Sequence, residues 1–341
     1  MKKIIALFLA TIMLMSLVGC DYFKTNDDTT PPEQVKIRIG YMAGPTGMGM
    51  AKLIHDNGGL ENGNDKYSFT KYADTNAAKA DLAAGKIDII CLPTNEAAVY
   101  SNTIDKTAKV LAINCLNSLY LVSNVTSTFR SEPSEITLSD FDGKTIYTCK
   151  NGTPRIVIEY LVKTLNLNIT ISYEVDGKEI LTPNDLAAQV IAGNIPNAVM
   201  PEPIVTNVVL KTAANSHTDR IYVPVINLTD EWSKALDTPL TMGCIIADGD
   251  FATYNTEAVN EFLEEYKASI DYIGDSDNID SAADYVAETD VMGAVPAAKM
   301  ALNNLGSSIT YIDGEEMKNA LVNFYNALGI ALPDDSFYYE K

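Results

Sequence analysis

The chain has 341 residues, 47% of them hydrophobic, and 45 acidic against 25 basic side chains give it a net charge of −20. That length exceeds one ordinary hydrophobic core and suits two lobes of roughly 150 residues each. Nucleic acid is excluded as a partner, because phosphate contacts need clustered Lys and Arg, and the acidity is spread along the chain in the manner of a solubilising surface.

Lys2 and Lys3 precede an apolar run from Ile4 to Val18, which closes at Leu17-Val18-Gly19-Cys20. The run is too short and wrongly flanked for a transmembrane helix, and it has the parts of a secretory signal. With the cysteine at the cut, residues 1–19 resemble a bacterial lipoprotein signal, and Cys20 is the expected lipidation site. Each lipid methylene buried in a bilayer adds about 0.8 kcal/mol of membrane affinity. Without Lys2 and Lys3, 23 basic side chains remain against 45 acidic ones. Residues 20–35 are polar, charged and proline-bearing and cannot bury enough apolar surface to fold, so they read as a lipidated tether. The expected location is the cell membrane, lipid-anchored, on its extracellular or periplasmic side.

Four other cysteines, Cys91, Cys115, Cys149 and Cys244, show no Cys-x-x-Cys spacing and have no histidine near them in sequence. A zinc site is not expected. All four lie in apolar, strand-like runs, which leaves two readings, buried free thiols or one or two disulfides.

From residue 36 the elements alternate. Lys36 to Met42 reads as a strand, Gly44-Pro45-Thr46-Gly47-Met48-Gly49 as a turn, and Met50 to Asp56 as a helix stopping at Gly58-Gly59. Ala77 to Ala84 reads as a helix with Gly85 at its C-terminal end, and Ile87 to Leu92 as a buried strand running into Pro93-Thr94-Asn95-Glu96. The pattern then repeats. Lys144 to Cys149 reads as a strand, followed by Asn151-Gly152-Thr153-Pro154 and a helix from Arg155 to Leu165, with Thr153 placed to cap it. Thr182-Pro183-Asn184-Asp185 opens a helix ending at Gly193, and Asn197 to Met200 is a strand closing at Pro201-Glu202-Pro203. Gly85 to Pro93 and Gly193 to Pro201 are both eight residues, and Thr46 and Thr153 lie 107 apart.

Two similar α/β lobes follow, each with a parallel-rich sheet and its loops at the strand C-terminal ends, where ligands of such sheets bind. The chain is expected to cross between lobes near Asn117–Asn124 and near Asp237–Gly243. One lobe then comprises residues 36–121 and 241–341, the other residues 122–240.

The Gly44-Pro45-Thr46-Gly47 loop, Ala83-Ala84-Gly85-Lys86-Ile87-Asp88, Phe141-Asp142-Gly143-Lys144-Thr145-Ile146, Met200-Pro201-Glu202-Pro203 and Leu240-Thr241-Met242-Gly243-Cys244 resemble the solute-binding lipoproteins of ABC importers. The branch they resemble serves nitrate, sulfonate, taurine and thiamine-pyrimidine-precursor uptake. The resemblance spans residues 36–330 and rests on order and spacing. It implies an α/β type II periplasmic-binding-protein fold, two lobes on a two-strand hinge closing over a small molecule for an ABC transporter permease. A monomer without cofactor or metal is expected.

Candidate ligand contacts are Thr46, Gly47 and Met48 at the first helix start, Thr94 and Asn95 (with Glu96) after the buried strand, and Asn151 and Thr153 in the second lobe. Glu202 lies between prolines, and Asn117, Ser118 and Thr241 lie at the crossings. Tyr41 precedes the first loop, and Trp232, the sole tryptophan, could stack on a flat ligand or pack in the interior. Arg155 could pair with an anionic ligand or face solvent. The glycine order 44, 47, 49 reverses the dinucleotide fingerprint, and only Asp74 supports that alternative. Relatives of the fold include pyrimidine-precursor synthases and chorismate-derived dehydratases, yet His55 and His217 stand outside the candidate loops and no nucleophile motif is present. Capture is favoured over catalysis, and a tethered sensor is the other alternative.

Overall fold

The computed structural model describes residues 35–103, 107–116, 118–124, 136–214, 221–236, 238–305 and 308–341. The expected signal, residues 20–34 of the tether with Cys20, Asn117 and His217 lie outside the described residues.

The first sheet begins with β1 (Ile37–Met42), followed by two short helices, α1 (Pro45–Met48) and α2 (Ala51–Asp56), then α3 (Gly59–Asn62) and β2 (Tyr67–Tyr72). α4 (Thr75–Ala83) leads to β3 (Ile89–Pro93), α5 (Thr94–Thr103) and β4 (Ala108–Leu116). The chain then enters a second sheet with β5 (Leu119–Asn124) and β6 (Thr145–Tyr147). α6 (Thr153–Thr164) and β7 (Thr170–Ser172) follow, then the small hairpin of β8 (Glu174–Val175) and β9 (Lys178–Glu179). The second lobe is completed by α7 (Pro183–Ile191), β10 (Asn197–Pro201), α8 (Ile204–Ala213), β11 (Tyr222–Asn227) and α9 (Leu228–Leu236). β12 (Thr241–Asp248) returns to the first sheet, ahead of α10 (Gly249–Tyr254), α11 (Thr256–Gly274), α12 (Ile279–Glu288), α13 (Val295–Leu305), β13 (Ile309–Ile312) and α14 (Gly314–Leu328).

The sheets run β13-β4-β12-β3-β1-β2 and β11-β5-β10-β6-β7. Their centres match. β3, β1 and β2 are parallel, as are β10, β6 and β7, and each trio is flanked by a strand antiparallel to it, β12 beside β3 and β5 beside β10. Both flanking strands lie next to a crossing between lobes, β5 following β4 and β12 following α9. Leu119 pairs with Pro201 and Leu121 with Val199, so the second sheet begins ahead of the boundary expected at residue 121.

The sequence repeat has a backbone counterpart. Gly44 (φ 94°, ψ −168°) precedes Pro45-Thr46, and Gly152 (φ 97°, ψ 176°) precedes Thr153-Pro154. This region of φ/ψ space is open essentially to glycine alone, and in both loops it turns the strand exit into a helix start. All four described cysteines are free and buried, consistent with small apolar residues in sheet interiors.

Candidate functional site

A cavity of about 310 Å³ lies between the two sheets' C-terminal loops, at the small end of the range of about 300–1,000 Å³ for ligand sites. The first lobe contributes Pro45, Thr46, Thr75, Pro93, Asn95 and Glu96, the crossing Ser118, and the return strand Met242. The second lobe supplies Cys149, Asn151, Gly152, Thr153, Pro154, Pro183, Pro201 and Glu202. Five of these are prolines: Pro93 and Pro201 end strands β3 and β10, and Pro45, Pro154 and Pro183 stand in the first turns of helices. Proline fits there because its missing N–H would have no partner in the helix, and the ring gives the cavity an apolar wall.

The lobes meet at a hydrogen bond. Thr153 does not cap α6. Gly152 holds the cap position and no side chain bonds to it, and Thr153, one residue inside, donates its hydroxyl to Asn95 Oδ1 at 2.7 Å. Both side chains are buried. The Asn95 amide donates to Glu96 Oε1 at 3.3 Å, while Glu96 Oε2 pairs with Lys79 Nζ of α4 at 2.5 Å.

Glu202 is 2% exposed. Its Oε2 accepts the Thr206 backbone N–H at 3.0 Å, capping α8, and its Oε1 accepts Asn304 Nδ2 from α13 of the first lobe at 3.2 Å. Its own N–H donates to the Ser118 carbonyl at 2.9 Å, tying the Pro-Glu-Pro loop to the crossing. Burial pushes the Glu202 carboxyl above its ordinary range, only partly offset by the Thr206 and Asn304 hydrogen bonds. Tyr120 in β5 donates its hydroxyl to the Asn304 carbonyl at 3.0 Å. Asn304, which no local sequence signal marks, thus joins the lobes beside the cavity.

The cavity brings together Thr46, Asn95, Ser118, Asn151, Thr153 and Glu202 of the residues anticipated from sequence, and leaves Tyr41, Gly47, Met48, Thr94, Trp232 and Thr241 outside its lining. Tyr41 is fully buried in the first lobe and donates to the Thr289 carbonyl at 3.3 Å. Gly47 spends its N–H on the Gly44 carbonyl at 3.0 Å and packs so closely that a Cβ would stand 2.1 Å from the Met42 carbonyl oxygen. Met48 is fully buried. Thr94 and Thr241 are buried, and their hydroxyls find no partner among the described residues. Trp232 is fully buried between Tyr160 of α6, ring centroids 5.2 Å apart, and Phe324 of α14, 5.9 Å apart. It is interlobe packing, with Nε1 unpartnered among the described residues.

Arg155 is held within its own lobe. Its Nε meets Glu159 at 3.0 Å, its Nη1 donates to the Lys150 carbonyl at 2.9 Å, and its guanidinium lies 4.7 Å from the Tyr173 ring centre. Asp74 caps α4 by accepting the Ala77 N–H at 3.0 Å, which accounts for it without a dinucleotide. His55 pairs with Glu288 at 2.8 Å and stacks on Tyr285. Among the described residues no cluster of three or more His, Cys, Asp or Glu could hold a metal ion, and no helix is long and apolar enough to cross a membrane.

No family model matches the chain, and no curated protein matches it. Solved structures do. An ABC transporter protein from Parabacteroides distasonis superposes with a TM-score of 0.66 at 18% identity, covering 90% of this chain and 99% of that one. The periplasmic aliphatic sulphonate-binding protein SsuA from Escherichia coli gives 0.64 at 16% identity, covering 91% and 92%. The periplasmic nitrate-binding protein NrtA from Synechocystis gives 0.55 at 12% identity, covering 84% and 75%. At these identities the likeness is one of fold: the chain has the two-lobed α/β architecture of the type II periplasmic binding proteins.

Proposed function

We propose that this chain is an extracytoplasmic solute-binding protein, lipid-anchored through Cys20, that captures one small organic molecule between its lobes as a monomer and delivers it to the permease of an ABC importer. The observation that carries this reading is the cavity of about 310 Å³ lined from both sheets at their strand C-terminal ends. A molecule touching both lobes binds the closed arrangement better than the open one, and only such differential affinity can drive closure. The sulphonate- and nitrate-binding proteins that share the fold support this class of assembly.

Catalysis fits the cavity poorly. Its described lining holds no histidine, and burial pushes its one thiol, Cys149, up to about 12, which keeps it protonated and unreactive at neutral pH.

Thermal melting of the full chain in detergent micelles, against sulfonates, nitrate, pyrimidine and thiamine precursors, amino acids, amines and small aromatic acids, tests the reading. A ligand at 100 times its dissociation constant stabilises the folded protein by about 2.7 kcal/mol. A saturable shift confined to one chemical class is expected; an unmoved midpoint throughout contradicts capture.

A further inference from the structure

The charge of the cavity wall points to a class of ligand. Among the described residues that line it, the charged side chains are Glu96 and Glu202, and none is Lys, Arg or His. Lys79 stands behind Glu96, 15% exposed, and is committed to Oε2 of that carboxylate. Arg155 is committed to Glu159 and the Lys150 carbonyl.

Backbone N–H groups at helix starts could in principle receive an anion instead. Side chains already take one donor at three of these starts. Asp74 caps α4, Thr182 caps α7 by accepting the Asp185 N–H, and Glu202 caps α8. α1 and α6 start without a side-chain cap, but Pro45 and Pro154 each remove a donor there, and the Gly47 N–H is spent on the Gly44 carbonyl. A helix N-terminus is equivalent to roughly half a positive charge, less than the full charge of the Glu96 carboxylate it would have to outweigh. Lys79 is offset by Glu96, Glu202 is buried with both oxygens bonded to Thr206 and Asn304, and the described lining holds no uncommitted cation, so an anion closed into it would be desolvated without a compensating charge.

Glu96 Oε1 is the acceptor with capacity to spare. Its one described partner is the Asn95 amide at 3.3 Å, a long bond, and a carboxylate oxygen can accept two donors. In the same cavity, Pro93, Pro154, Pro201 and Met242 supply apolar wall. No aromatic ring belongs to the described lining, so the body of the ligand meets pyrrolidine and thioether rather than a stacking platform.

We infer that the cleft takes a small organic cation, an ammonium or amidinium group donating to Glu96 with a compact apolar body against the prolines, and rejects oxyanions. This rests on the capture reading and deepens it.

The test is isothermal titration of the full chain in micelles with compounds that share one skeleton and differ in head group: butylamine, butyramide, butyrate and butanesulfonate, with the cyclohexyl series beside them and nitrate as a bare oxyanion. The amines are expected to bind at one site and the carboxylates, sulfonates and nitrate not to bind. Glu96→Gln keeps the shape, removes the charge, and is expected to weaken amine binding by about 10- to 100-fold. Lys79→Ala frees Glu96 Oε2 and is expected to tighten it, a change that a structural role for the pair would not produce. Binding of a sulfonate, a carboxylate or nitrate in place of the amines overturns the inference and leaves capture standing. Amine binding indifferent to Glu96→Gln and Lys79→Ala also overturns it. Silence from every head group, together with an unmoved melt across the wider panel, sinks both.

Discussion

The Thr153 hydroxyl donates to Asn95 Oδ1 at 2.7 Å, joining the first turn of α6 in one lobe to the first turn of α5 in the other at the wall of the cavity. Because Asn95 is buried, Thr153→Val removes the donor and leaves a buried acceptor unsatisfied, which costs about 1–3 kcal/mol. Urea unfolding should show that loss as a lower midpoint with an unchanged slope. Thr153→Ser, which keeps the hydroxyl, should recover most of it.

Trp232 bridges the lobes at a second place, between Tyr160 and Phe324. Truncating such a side chain leaves a large cavity, so Trp232→Ala should cost about 3–5 kcal/mol in chemical denaturation. Trp232→Phe should cost far less, because it preserves the ring contacts and removes an indole N–H that has no partner among the described residues.

Glu202 gives a pH signature. Its folded carboxyl titrates above the ordinary value of 4.5, mainly because burial disfavours the charge. Over the interval from about 4.5 upward to the folded pKa, the folded state therefore holds more proton than the unfolded state, and stability falls as pH rises. Glu202→Gln should flatten the stability profile over that interval, measured as melting midpoint against pH, while a profile identical to the parent would mean that the carboxyl is not desolvated.

Gly152 occupies a backbone region essentially closed to other residues, at φ 97° and ψ 176°. Gly152→Ala should cost about 1–3 kcal/mol and shift Thr153 off Asn95. Combined with Thr153→Val it should then cost less than the sum of the two, which a double-mutant cycle in urea measures.

The architecture was legible because it is written twice. The 107-residue offset between Thr46 and Thr153 corresponds to two loops with the same unusual glycine conformation, and the two eight-residue spacings to β3 and β10, which hold the same place in their sheets. Individual contacts were less legible. Thr94 and Asn95 follow the same strand, but only Asn95 lines the cavity, a one-residue phase that composition does not set. Leu228, Trp232 and Leu236 recur at four-residue intervals, an amphipathic stripe in which the tryptophan faces inward; polar neighbours disguised it. Gly47 matched a ligand-binding loop in type, yet the Met42 carbonyl already occupies the space beside it. Asn304 reaches Glu202 from 102 residues away, a separation no local pattern spans.

The central claim is that one molecule is held by both lobes at once. Titration calorimetry of the compound that shifts the melt, on the parent chain and on Glu96→Gln and Asn151→Ala, tests it most directly. Each substitution touches one lobe and lies in the cavity wall. The account expects binding of one molecule per chain and a loss of affinity from either substitution. Affinity that survives one of them unchanged would mean that a single lobe holds the ligand, and closure over it would have no driving force.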